Sequence, residues 1–283
     1  MSDYQKGLFW TSLGVLCLTP DSLLVRLISC DPWTLLFWRG LLMCLGFSVF
    51  LLFRNISPLN LGRKGWLASG FLTCSTVCFV FSLKHTDVAN TLVIIATSPL
   101  LSAILSWLFL KESIPYRTWV AILCSMGGIA LSLKGGFHQG NLLGEFAAFG
   151  SAFSMACHFT ILRWWKSEHG SLSVWGTGLL VALLSLPFAD PLSLPRADIG
   201  WTILLGAIIL PSAFGMMAVG PRFLPAPTVS LLLLGETVLG PLWVWLVLNE
   251  EPNKATLWGG LIVIVTLAIH SLCSRPKKVR TSS

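Results

Sequence analysis

T-S-P-L-L-S-A-I-L-S-W-L-F-L-K-E, residues 97–112, and G-E-T-V-L-G-P-L-W-V-W-L-V-L-N-E, residues 235–250, are two versions of one pattern lying 138 positions apart. Trp107 falls on Trp245, Leu108 on Leu246, Leu110 on Leu248 and Glu112 on Glu250. The match extends beyond this pair. Gly7 to Arg26 can be laid on Gly144 to Arg163 with a shift of 137, and Lys64-Gly65-Trp66 and Ile199-Gly200-Trp201 open equivalent segments. Membrane helices share a small alphabet, so any single match carries little weight. The common order and nearly constant shift carry more.

Composition says what medium the repeat occupies. Hydrophobic residues make up 54% of the chain and charged residues 11%, against about 25% charged in soluble domains. The apolar runs are continuous and about 20 residues long, the length a helix needs to cross the hydrocarbon. A β-barrel would alternate in short segments instead. The chain is therefore expected to be an all-α integral membrane protein, with spans at 7–28, 33–53, 65–83, 88–110, 116–133, 142–162, 172–189, 199–219, 225–248 and 255–273. The short connectors leave no room for a soluble domain. Ten spans divide into two repeats of five, residues 1–136 and 137–283, the second ending in a short basic tail. An odd-numbered bundle repeated in tandem must sit in the bilayer in opposite orientations, the architecture of secondary carriers with a site between inverted halves.

The basic residues assign the sides. With both termini inside, thirteen of the nineteen lysines and arginines fall on inner segments and four on outer loops, while Arg26 and Arg39 lie within spans. This bias places both termini in the cytoplasm. It also accounts for the net charge of +7 without nucleic acid as a partner. The first apolar run is interrupted by Pro20 and Asp21 and lacks a small-x-small cleavage site, so it reads as the first span and not as a signal peptide. The eight cysteines show no C-x-x-C and no Cys/His metal spacing; they read as small apolar packing residues. No metal or cofactor is expected. There is no G-x-x-x-x-G-K, H-E-x-x-H or G-x-S-x-G, so no enzymatic motif and no nucleotide site are expected.

Charged side chains deep in a bilayer cost about 2.5–3.5 kcal/mol on insertion scales and are functional candidates for that reason. Glu236 lies eleven residues into span 9. It is placed to bind protons, to accept a hydrogen bond from a substrate amine, or to brace a neighbouring helix. Trp243, seven residues later, shares its face and is a candidate for stacking on a substrate. Asp21 and Arg39 each lie about seven residues from the outer ends of antiparallel spans, a common depth of about 10 Å. They form either a structural salt bridge or a recognition pair, Arg39 receiving a substrate carboxylate or phosphate with Asp21 as its resting partner. His158 shares a stripe with Ser154, Ser151 and Ala147 on span 6, which suits a cavity lining or tight helix packing. Ser69, Thr73 and Thr76 make a similar stripe on span 3, and Asn90 and Thr97 one on span 4. Pro20, Pro99, Pro211 and Pro241 mark where spans 1, 4, 8 and 9 can bend.

These residues resemble the drug/metabolite transporter superfamily, specifically its ten-span EamA-type family. The resemblance rests on the F-W-R ending at Arg39, on Pro99 followed by W-L-F-L-K-E, and on G-G-I-A at 127–130. It also rests on the midspan Glu236 in L-L-G-E and on W-L-V-L-N-E ending at Glu250. It covers nearly the whole chain. The chain departs from the family pattern at Thr237, where proline is frequent, at Lys111, where glycine is common, and at Ala156-Cys157-His158, where an aromatic is usual. The resemblance implies a ten-helix inverted-repeat carrier with a central cavity, moving amino acids or other small metabolites, often outward. An arginine plus a carboxylate suits a zwitterionic or carboxylate cargo such as an amino acid, so the expectation is an exporter or exchanger in a plasma (bacterial inner) membrane, working by alternating access. Lipid, a small-molecule substrate, protons as coupling ion and a second copy in a homodimer are the partners this reading allows. The alternative is a non-transporting membrane sensor or assembly subunit that keeps the repeat by descent.

Overall fold

Long apolar runs become long helices. The computed structural model describes residues 2–53, 55–86, 88–132, 141–166, 170–248 and 254–273. Among them the regular structure is helical, without strands. The chain runs α1 (Asp3–Leu18), α2 (Asp21–Leu27), α3 (Pro32–Phe53), α4 (Gly62–His85), α5 (Val88–Ile95), α6 (Ser98–Leu110) and α7 (Tyr116–Ser132). It continues with α8 (Leu142–Trp165), α9 (Leu172–Ser185), α10 (Ile199–Ile203), a π-helical segment (Leu204–Ile209), α11 (Leu210–Met217), α12 (Gly220–Phe223), α13 (Ala226–Leu248) and α14 (Lys254–Cys273). Seven helical stretches are long and apolar enough to cross a membrane: Asp3–Leu27, Pro32–Phe53, Gly62–His85, Thr91–Leu110, Leu142–Trp165, Arg196–Phe223 and Ala226–Val247. Tyr116–Leu131, Leu172–Ser185 and Trp258–His270 are apolar but shorter.

The bundle has an apolar outside as well as an apolar inside. Leu52 is 77% exposed and Phe109 74%; a helix hydrophobic all round belongs inside a large core or in lipid. Inside, α4 packs most extensively on α8, α3 on α9, α7 on α14 and α1 on α11, while α6 lies against both α8 and α13. Small residues set these crossings. A Cβ on Gly40 would stand 2.6 Å from the Ala182 nitrogen, and one on Gly178 2.6 Å from the Cys44 nitrogen, so α3 and α9 meet nearly backbone to backbone. Between α4 and α8, Ser75 Oγ donates to the Ser151 carbonyl at 3.1 Å and Ser151 Oγ to the Ser75 carbonyl at 3.0 Å.

The prolines act as expected at three of four positions. The first span breaks at Thr19-Pro20, between α1 and α2, and the fourth at Ala96-Thr97, just before Pro99. Pro211 is the second residue of α11, separated by Leu210 from the end of the π-helical segment of the eighth. At Pro241 α13 runs through without interruption. The boundary at residue 136, Glu250 and the basic tail from Arg275 onward lie outside the described residues.

Candidate functional site

The break between α1 and α2 places Asp21 on the first residue of the second segment. Opposite it on α3, Arg39 donates from Nη1 to Oδ1 at 2.6 Å and from Nη2 to Oδ2 at 2.8 Å. This is the bidentate fork that a planar guanidinium makes best. Both side chains are buried. Arg39 Nε has no partner among the described residues, and the guanidinium carbon lies 5.9 Å from the Phe79 ring centroid. Pairing offsets the cost of burying both charges only when the geometry is this good.

Glu236 of α13 lines the same cavity as the pair and interacts electrostatically with both members. It is 8% exposed. Two ionisable groups from neighbouring helices and a third from a helix far along the chain thus converge on one space. The rest of its polar lining is hydroxyl: Ser75 and Thr76 from α4, Ser98 from α6, Ser151 from α8, and Ser230 and Thr237 from α13. The hydroxyls of Ser98 and Ser230 are buried without a hydrogen-bond partner among the described residues. Leu18, Phe79, Leu92, Met155 and Phe214 supply apolar walls. The free space is about 40 Å³ for the centres of water-sized molecules, room for a few waters and too little for an amino acid. The free space of the cavity is small in this conformation.

The other sequence candidates fall elsewhere. His158 Nδ1 lies 2.9 Å from the Ala68 carbonyl oxygen and ties α8 to α4 outside the cavity lining. Ser154 is buried on α8 toward Cys74. Thr97 Oγ1 donates to the Ile94 carbonyl at 2.7 Å, closing the turn between α5 and α6. Trp243 Nε1 donates to Thr19 Oγ1 at 2.9 Å and the residue is 40% exposed, so it anchors α13 to the break in the first span. The Asn90 side chain lies outside the described residues. Sequence reasoning missed Ser75, Ser98 and Ser230, and named Thr237 only as a departure from the family pattern. One signal was available for Ser98: the shift of 138 that relates residues 97–112 to 235–250 lays it on Glu236.

At one end of the bundle, Arg163 Nε donates to Glu112 Oε1 at 2.9 Å. Its Nη1 reaches the carbonyls of Pro221 at 3.4 Å and Arg222 at 3.5 Å. The last turn of α8 thereby holds the ends of α6 and α12 together.

The profile of a family described as "EamA-like transporter family" matches the chain twice, over residues 5–134 and again over 142–272. Human "Solute carrier family 35 member G1" is 25% identical over 92% of this chain and 77% of that protein. The "Pseudopaline exporter CntI" of Pseudomonas aeruginosa is 24% identical over 67% of this chain and 68% of its own. The "S-adenosylmethionine uptake transporter" of Rickettsia conorii is 25% identical over 66% and 64%. A solved crystal structure superposes with a TM-score of 0.81 at 19% identity, covering 97% of this chain and 98% of the other, and so has the same fold.

Proposed function

The chain belongs to the EamA-like transporter family, and from that premise we propose that it is a secondary carrier for amino acids or related zwitterionic or carboxylate metabolites, an exporter or exchanger working by alternating access. The observation that carries this reading is the convergence of Asp21, Arg39 and Glu236 on one small cavity between helices of both halves of the chain. A site that must face each side of a membrane in turn needs polar groups buried at the seam between two rigid halves. Charges are tolerated at such depth when they pair with one another or line a cavity.

Several observations support ten crossings in two inverted repeats of five. The family profile matches twice, and its two segments start 137 residues apart, the shift seen in the sequence. The packing is also symmetric. Exchanging the halves turns α4 against α8 into α11 against α1, and α6 against α8 into α13 against α1. It turns α4 against α9 into the π-helical segment against α3, and leaves α3–α9, α6–α13 and α7–α14 unchanged. With five crossings per half the second copy is inverted, and the distribution of lysine and arginine puts both termini on the cytoplasmic side of a plasma (bacterial inner) membrane.

In this reading Arg39 receives the substrate carboxylate and Glu236 its ammonium group or a coupling proton. Asp21 holds Arg39 while the site is empty and must let go before a carboxylate can bind. The hydroxyls of Ser98 and Ser230 are the unspent hydrogen-bonding groups that a polar cargo would complete. Binding of labelled amino acids, organic acids and amines to the purified protein tests this assignment. Arg39→Ala, verified as folded, is expected to weaken carboxylate ligands at least tenfold more than simple cations. Equal losses for both classes would overturn it.

A further inference from the structure

A second cavity, of about 410 Å³, lies between α4, α6 and α8 and has no charged residue in its lining. We propose that it is a binding site for an anionic phospholipid, with an acyl chain in the cavity and the headgroup phosphate among Lys64, Lys111 and Lys166 at its mouth.

The walls are apolar: Phe71 from α4, Leu105 and Leu110 from α6, Ile161 and Trp164 from α8. The one hydroxyl among them, of Thr160, already donates to the Ala156 carbonyl at 2.7 Å, so nothing inside asks for a polar ligand. The groove runs along the helices. From Leu110 back to Leu105 and from Trp164 back to Cys157 it extends for roughly 7–10 Å at 1.5 Å per residue, a slot along the helix axes such as a lipid tail would fill.

Its mouth is where the cations are. α6 and α8 both end here, each on an exposed lysine in the left-handed conformation: Lys111 at φ 52° and Lys166 at φ 48°. Glycine is the usual residue at such positions, and a side chain there is strained. What bears on a ligand is the place of the two lysines: both are exposed and follow directly on the helix ends that line the groove, where basic residues meet the membrane interface. α4 begins at the same end with exposed Arg63 and with Lys64, whose Nζ lies 3.7 Å from the centroid of the Trp164 ring that lines the groove. The nearby carboxylate, Glu112, is taken up by Arg163. In the orientation proposed above this mouth faces the cytoplasmic leaflet, whose anionic lipids attract juxtamembrane lysine and arginine. The site does not depend on what the central cavity carries.

Native mass spectrometry of the full-length protein in detergent, titrated with phosphatidylglycerol or with phosphatidylcholine of the same chains, tests the proposal. Phosphatidylglycerol is expected to be retained at least tenfold better. Lys111→Gln with Lys166→Gln should reduce that preference to within twofold, and Leu105→Trp should lower retention of both lipids. Arg196→Gln, at the start of the helical stretch Arg196–Phe223 and away from this mouth, should change neither. Soluble glycerol phosphate at the same concentration should not compete. Equal retention of the two lipids by the unaltered protein, a preference that survives in the double-lysine variant, or competition by glycerol phosphate would each overturn the site. Failure to transport any metabolite would leave it standing.

Discussion

Arg39 and Asp21 meet through two parallel hydrogen bonds of 2.6 and 2.8 Å, and neither residue is more than 3% exposed. Removing one partner strands the other. Asp21→Asn should therefore cost about 3–5 kcal/mol of stability, read as a large drop in thermal midpoint in detergent. Replacing both, by Asp21→Leu with Arg39→Met, should recover most of that loss, because apolar pairs of similar volume are often neutral or better. The recovered double variant should still fail to bind carboxylate ligands. Stability and binding restored together would reduce the pair to a structural tie.

A substitution at Glu236 tests coupling apart from binding. Glu236→Gln keeps the shape and a hydrogen-bonding end but removes the titratable group. Exchange of substrate across proteoliposomes should persist within about threefold of the unaltered rate, while uptake driven by a pH gradient falls at least tenfold. Unchanged gradient-driven uptake would remove Glu236 from the coupling role.

Gly40 and Gly178 hold α3 and α9 at near backbone contact. Gly40→Val must push the helices apart and should cost about 1–3 kcal/mol or more, as overpacking does. Gly127, in the middle of α7, has nothing within 4 Å of where a Cβ would stand. Gly127→Ala should be neutral or stabilise by up to about 1 kcal/mol through helix propensity. Chemical or thermal unfolding of the two variants side by side distinguishes a crowded glycine from an idle one.

Asp31 caps α3 from outside the span. Its Oδ1 accepts from the backbone nitrogens of Trp33 at 2.9 Å and Thr34 at 3.2 Å. Partial burial raises the carboxyl, but hydrogen bonds from the Thr34 side chain and from the Thr34 and Trp33 backbones outweigh it and hold it below its ordinary value. A depressed carboxylate contributes stability above the unfolded-state value near pH 4 and loses it as pH falls through the folded value. Asp31→Ala should cost about 0.5–1 kcal/mol near neutrality, the low end for an N-cap because the group is exposed. The difference from the unaltered protein should narrow as pH falls through the folded value, which lies below the unfolded one.

The apolar runs made the helices legible, because length and continuity are what a bilayer selects. The expected span 33–53 and the helix Pro32–Phe53 differ by one residue at the start and none at the end. The depth argument also placed Asp21 level with Arg39, since two neighbouring antiparallel helices then leave only their two rotations unknown. Convergence with Glu236 was not legible: it depends on how α13 packs against α2 and α6, which no local pattern encodes. Ser75, Ser98 and Ser230 were missed because serine in a membrane helix is ordinary and usually bonds its own backbone. Trp243 follows Glu236 by seven residues, and two turns along a helix is about 10 Å. At that distance its ring reaches Thr19 and not the cavity.

Counterflow tests the central claim most directly. Proteoliposomes loaded with unlabelled amino acids are given labelled pools of amino acids, organic acids or amines outside, with Asp21→Leu/Arg39→Met as the matched control. An alternating-access carrier with its site at Asp21, Arg39 and Glu236 gives saturable uptake of the zwitterionic pool that requires internal substrate, and the control gives none. No saturable uptake of any pool by folded, oriented protein, or equal uptake by the control, would contradict it.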